Sequence, residues 1–202
     1  MTDAATTTYS VPEISCGHCK STIEAAVHGL GDIRSVDVDI DAKTVTVHGG
    51  ESGAIIAVIE DAGYDVTYTG QKGYNGVAIL SKIPMVEAGA EDYASLGHAR
   101  HIAGKLENGV TVHNFYVPAG GDVADREVNE KFGQKLDYLT EMRDAFHAAA
   151  PQKSILVGDL NIAPREDDVW DHKKLLKVVS HTPIEVEALA QTQDAGKWVD
   201  MT

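Results

Sequence analysis

The chain has 202 residues, 43% of them apolar, and a formal net charge of -14 at pH 7. That length and apolar fraction allow one ordinary domain or two small ones and exclude wholesale disorder. The acidic balance excludes attachment to DNA or anionic lipid by net attraction, so any such contact needs a local basic patch.

The acid is uneven: residues 1–68 carry 11 Asp/Glu against 3 Lys/Arg, and residues 69–202 carry 20 against 14. In chain order, YSVPEI alternates as a half-buried strand does, and SCGHC reads as a tight loop. KSTIEAAVHGL places Ile23, Ala26, Val27 and Leu30 at helical spacing, with Gly29 or Gly31 as the stop. SVDVDID puts Val36, Val38 and Ile40 on one face, and KTVTVHG does the same with Val45 and Val47. A short Asp41-Ala42 turn makes these two a hairpin. GAIIAVIEDAG predicts a second helix buried through Ile55, Ile56 and Ile59, and YDVTY a last strand. The order βαββαβ predicts a ferredoxin-like unit with both helices on one face of an antiparallel sheet.

The two cysteines, Cys16 and Cys19, are spaced C-x-x-C. So close a pair in a long chain makes no disulfide framework and reads as a metal or redox pair in a reducing compartment. They sit where a loop becomes a helix, where backbone amides and the helix dipole favour thiolate. Two thiolates suit a soft, low-coordinate ion such as Cu(I). Zinc wants four ligands, and only His18 stands near as a third. A thioredoxin-type redox motif and two incidental thiols are the alternatives.

With Cys16-Gly17-His18-Cys19, the βαββαβ order and the later AGYDV, residues 9–68 resemble the heavy-metal-associated, copper-chaperone-like domain. The resemblance implies Cu(I) held by Cys16 and Cys19 and a copper-transfer partner protein. It places Tyr64 as an aromatic beside the metal loop. Ile14 stands where the family usually has Met, a side chain that packs rather than ligates.

Beyond residue 68, GQKGYNGVAILSK predicts a buried strand through Val77, Ile79 and Leu80. VTVHNFYV predicts another, ending at Pro118. Phe132, Leu136, Leu139, Met142 and Phe146 mark one face of a helix. SILVGDLNIAP predicts a short buried strand over residues 155–157. Asp159 and Asn161 follow at its carboxyl end, spaced so that both face the same side and can hold one water or oxyanion. A lone Asp in such a turn is more often a cap residue, Tyr116 could be a core aromatic, and Lys131 a solvated helix charge.

GQKGYNGVAILSK, NFYVPAGG, KFGQKLDYL, VGDLNIAP and DVW, in that order and followed by HTPIEVEALAQTQDAGKWVD, resemble the exonuclease III family of the endonuclease/exonuclease/phosphatase superfamily. The resemblance covers about two thirds of the chain. It implies part of a two-sheet α/β sandwich and Mg²⁺-dependent cleavage of duplex DNA at abasic sites and from 3′ ends. By resemblance, Asp159 positions and deprotonates the attacking water, and Asn161 orients Asp159 or binds the phosphate. Tyr116 contacts that phosphate, and Arg100 and Lys131 touch the DNA backbone, which positions without reading sequence.

The expected organisation is α+β: a metal-binding domain over residues 1–68 and a partial nuclease domain over residues 69–202, with the seam within residues 61–69. The strands that carry the family's metal-holding Glu, further Asp residues and phosphate-stabilising His find no match here. Glu60, Asp61 and Asp65 are weak stand-ins. Unpaired strand edges, uncovered apolar faces and impaired cleavage are therefore expected. The alternatives are a copper-binding protein with an inactive nuclease remnant, or a join without selected function. The N-terminus shows no basic-then-apolar signal and no stretch reaches membrane-spanning length, so the expected location is cytoplasmic, without membrane contact.

Overall fold

A computed structural model describes residues 6–11, 14, 17–61, 63–71 and 75–201. They form two compact units. The first comprises Met1–Asp92, Gly97–Phe115 and Lys153–Gly158, and the second Tyr93–Leu96, Tyr116–Gln152 and Asp159–Thr202.

In the first unit the expected succession is present: β1 (Thr6–Ser10), α1 (Gly17–His28), β2 (Ile33–Asp39), β3 (Thr44–Gly49), α2 (Ser52–Asp61) and β4 (Asp65–Gly70). The hairpin between β2 and β3 turns on Asp39, whose Oδ1 accepts from the backbone N–H groups of Asp41 and Ala42. This is the local side-chain turn that Asp favours. Ile23 and Val27 of α1, Val38, Val45 and Val47 of the strands, and Ile55, Ile56 and Ile59 of α2 close one buried core.

One strand departs from the expected sheet. β5 (Gly76–Ser81) enters between β1 and β4, so the order is β2-β3-β1-β5-β4. β4 and β5 form an antiparallel hairpin from Asp65↔Ser81 to Gly70↔Gly76. β5 pairs with β1 in parallel at Ser10↔Ile79. The physical reason lies in composition. Val77, Ala78, Ile79, Leu80 and Ser81 are all buried, a run that needs cover on both faces, whereas DVTYTG of β4 has no buried position and tolerates the edge. Ala78 and Leu80 belong to the same core as Ile23 and Ile59. The expectation of an open strand edge at the start of the nuclease-like segment is thereby corrected. The edge of β5 that β4 leaves free is taken by β1.

The same unit holds a second sheet in the order β6-β7-β8-β9, made of β6 (Met85–Gly89), β7 (His101–Leu106), β8 (Thr111–Tyr116) and β9 (Ser154–Asp159). β9 corrects a second expectation. It is not a fully buried strand, because it ends the sheet order and Ile155 is 51% exposed. Gly158 near its end has φ +124, and a Cβ there would clash with the Phe115 carbonyl oxygen, so only glycine lets the strands approach. On the neighbouring strand β7, His101 stacks on Phe115 of β8 at 4.3 Å between ring centroids, and its Nε2 lies 3.2 Å from His113 Nδ1.

The second unit is built on α3 (Glu130–Ala148), α4 (His172–Leu175) and α5 (Pro183–Gly196). Asn129 caps α3 by accepting from Lys131 N, and the predicted apolar face is buried at Phe132, Leu136, Leu139, Met142 and Phe146. A Thr182/Glu185 capping box starts α5, with Pro183 in the first turn. Among the described residues no helix is long and apolar enough to cross a membrane.

Candidate functional site

Two places carry the residue types that the sequence singles out. The first is the start of α1. Cys16 lies outside the described residues, as does the side chain of His18. Cys19 is half-buried in the first turn of α1 and packs against the core. Tyr64, 4% exposed, interacts with both Cys19 and Lys82. Burial raises the pKa of its phenol, the Lys82 charge opposes that rise, and Cys19 adds to it. The Lys82 ammonium stands 5.1 Å from the centroid of the Tyr64 ring, a cation–π distance. Tyr64 follows α2, and Lys82 follows β5, so the insertion of β5 delivers a cation from the second segment to the neighbourhood of the first segment's cysteine.

The second place is the loop after β9, in the second unit. Asp159 is exposed, and its Oδ1 accepts from Asn161 N at 2.9 Å. Its backbone oxygen accepts from Val117 N at 2.9 Å, next to Tyr116 at the end of β8. Asn161 has φ +52, and its Nδ2 donates to Val117 O at 2.9 Å. β9 ends at Asp159, so strand alternation does not extend to Asn161. What links the two residues is the Asn161 backbone N–H. Lys131 is exposed near the start of α3, and Arg100 is half-buried in the first unit, 3.5 Å through Nε from His98 Nδ1.

A residue pair that no motif singled out holds this loop. Lys135 and Glu185 are both fully buried, 2.5 Å apart. Lys135 Nζ also donates to Asn161 O at 2.7 Å and to Ala119 O at 3.4 Å. Glu185 in turn accepts from Ser180 N at 3.0 Å and from the Thr182 hydroxyl at 2.5 Å. Burial lowers the Lys135 pKa, and the hydrogen bond and charge of Glu185, then the charge of Asp159, oppose that fall. The left-handed carbonyl of Asn161 is thus fixed by a cation whose own partner is anchored at the start of α5. A signal was available: Lys135 lies three residues after Phe132 and four before Leu139, on the apolar face of its helix, and Thr182-x-x-Glu185 is a capping box. Among the described residues, no three His, Cys, Asp or Glu side chains gather to hold a metal ion.

Comparison with known proteins separates the two segments. Residues 8–65 match the heavy-metal-associated domain family. Over 61 residues the chain is 38% identical to the copper chaperone CopZ of Staphylococcus aureus, an alignment covering 28% of this chain and 90% of CopZ. Among solved structures, an AP endonuclease from Archaeoglobus fulgidus superposes with a TM-score of 0.61 at 28% identity, over 68% of this chain and 53% of that protein. The chain thus spans about half of the archaeal protein. The 3′-5′ exonuclease NExo from Neisseria meningitidis superposes with a TM-score of 0.64 at 22% identity, over 95% of this chain and 71% of NExo, a likeness of fold. At that coverage the superposition extends into the residues matched by the metal-binding family, in keeping with β1 standing beside β5. Through residues 8–65 the chain belongs to the heavy-metal-associated domain family, joined here to a segment with the fold of AP endonuclease and exonuclease III-like proteins.

Proposed function

We propose that this chain binds Cu(I) through Cys16 and Cys19 and exchanges it with a partner protein, and that its nuclease-like segment cleaves DNA weakly or not at all. The observation that carries the reading is Cys19 in the first turn of α1, beside the buried Tyr64, within a domain 38% identical to a copper chaperone. A soft two-thiolate site at a helix start favours a monovalent, low-coordinate ion, and the N–H groups of that turn stabilise the charge of the thiolates. In this reading residues 1–68 and 69–202 are two domains by descent that share one sheet. A cytoplasmic location fits the reduced thiols that such a site needs.

For the second segment, Asp159 would accept a proton from the attacking water, and Tyr116 and Asn161 would contact the phosphate. Lys131 and Arg100 would touch the backbone of duplex DNA. Among the described residues no three His, Cys, Asp or Glu side chains gather, and no step is assigned to Mg²⁺. Preorganised charge supplies much of the rate in phosphate chemistry, and its loss commonly costs orders of magnitude.

The test has two arms. Competition with a colorimetric Cu(I) chelator should show one Cu(I) per chain, lost in Cys16→Ser/Cys19→Ser; unchanged binding in that variant sinks the copper reading. Cleavage of an abasic-site duplex with added Mg²⁺ should stay near background and equal that of Asp159→Ala. Robust cutting abolished by Asp159→Ala would replace the proposal with an active nuclease carrying a copper module.

A further inference from the structure

The β4–β5 hairpin carries a cation from one segment to a cysteine of the other. Asp65 pairs with Ser81 in that hairpin, and the same antiparallel register, continued by one residue, sets Tyr64 opposite Lys82. The chain beyond the hairpin is pinned. Ile83 N donates to Ser81 Oγ at 3.0 Å, and Met85 N donates to Asp65 Oδ2 at 2.7 Å. Lys82 lies outside residues 8–65, the part that matches the metal-binding family, so its place beside Tyr64 is a product of the join.

The phenol of Tyr64 bridges Lys82 and Cys19, since its hydroxyl shares hydrogen bonds with both side chains. An ammonium has only donors, so Lys82 donates to the phenol oxygen, and the one phenolic proton is left for the Cys19 sulfur. The cation and the sulfur are thus joined through a single buried hydroxyl. Lys82 itself is exposed, so water screens part of its charge.

That charge acts differently on different ions. Two thiolates carry two negative charges. With a monovalent ion bound the site keeps one of them, and with a divalent ion bound it keeps none. The Lys82 ammonium therefore stabilises the first loaded state and gives the second little. Its effect on either affinity alone depends on how many protons the empty thiols hold. Its effect on the ratio of the two affinities does not, because the empty state is common to both.

We propose that Lys82 is a specificity-determining residue: acting through the Tyr64 hydroxyl, it favours monovalent over divalent ions at the Cys16/Cys19 pair. The inference rests on the copper reading above and adds to it a discriminating charge supplied by the second segment.

The experiment measures Cu(I) and Zn²⁺ affinity on the full chain, each by competition with a chromophoric chelator. In Lys82→Met the ratio of Cu(I) to Zn²⁺ affinity should fall about fivefold, the upper range for an exposed charge, and the fall should shrink at high salt. Lys82→Arg keeps the charge and should keep the ratio. Tyr64→Phe keeps the ring, removes the bridging hydroxyl and should lower the ratio. A purely structural role for Lys82 would move both affinities together and leave their ratio fixed. An unchanged ratio in either Lys82→Met or Tyr64→Phe overturns the proposal while the copper reading stands, and so does a fall in Lys82→Arg as large as that in Lys82→Met. If Cys16→Ser/Cys19→Ser binds Cu(I) as the parent does, the copper reading falls and this proposal falls with it.

Discussion

The start of α1 and the loop after β9 are both short motifs at the end of a secondary element, yet they are held in opposite ways. Cys19 sits in the first turn of its own helix, and its family signature spans four consecutive residues. The Asp159–Asn161 loop is held by Lys135, 26 residues before Asn161, and Lys135 is held by Glu185, 50 residues further on. A local site keeps its geometry as long as one helix forms. A dispersed site keeps it only while a buried ion pair and two helices stay packed. The difference predicts that the second region is the more fragile to single substitutions away from its motif.

The largest expected effect breaks the ion pair. Lys135→Met leaves Glu185 charged and buried without its cation, and should cost about 3–5 kcal/mol of stability. The double variant Lys135→Met/Glu185→Leu should recover much of that loss, measured by urea unfolding followed through circular dichroism. If the double variant were no better than the single one, the pair would not be the coupled unit described. Next comes the shared core. Leu80 lies outside residues 8–65 yet is fully buried with Ile23 and Ile59. Leu80→Ala should lower stability by about 2–5 kcal/mol, with the loss read at the Tyr64 side chain by NMR. An effect confined to the second unit would mean that the first domain closes its core alone.

A smaller effect depends on pH. His101 is buried and its pKa falls to about 3, chiefly by burial and then by His113, whose own pKa is lowered by burial. Both are neutral in the native state, so the unfolded chain binds more protons below the ordinary histidine pKa of about 6.5. Their stabilising contribution is full above that value and is lost as pH falls toward about 3. The unfolding midpoint should therefore drop between those limits, and His101→Phe should flatten the slope. An unchanged slope in that variant would place the acid sensitivity elsewhere. The smallest effect sharpens the link between segments at the metal loop. Lys82 is exposed, and Lys82→Met should weaken Cu(I) binding by a few-fold at low salt and by less at high salt. Equal affinities at both salt concentrations would show that the cation near Tyr64 plays no part.

Much of this was legible in residues. The periodicity of Ile23/Val27 and Ile55/Ile56/Ile59 marks two helices that bury one face, and the alternation of Val36/Val38 and Val45/Val47 marks a hairpin, because these patterns are imposed by helix and strand geometry within a few residues. Lys135 was less visible, since charge on a helix usually means a solvated face. Only its place between Phe132 and Leu139 argued otherwise. The strands β6 and β7 carry no strict alternation, and nothing in their composition sets them apart.

By itself the sequence determined the C-x-x-C spacing, the family resemblance of the first segment, its helix and hairpin periodicities and the apolar face of α3, each of which depends on spacings of a few positions. Only the tertiary structure decided that β5 stands between β1 and β4, that Ala78 and Leu80 close the first domain's core, and that Lys135 reaches Asn161. Strand order and buried ion pairs are choices among distant partners. Which partner wins is set by the total burial of the whole chain, a quantity that no short stretch contains.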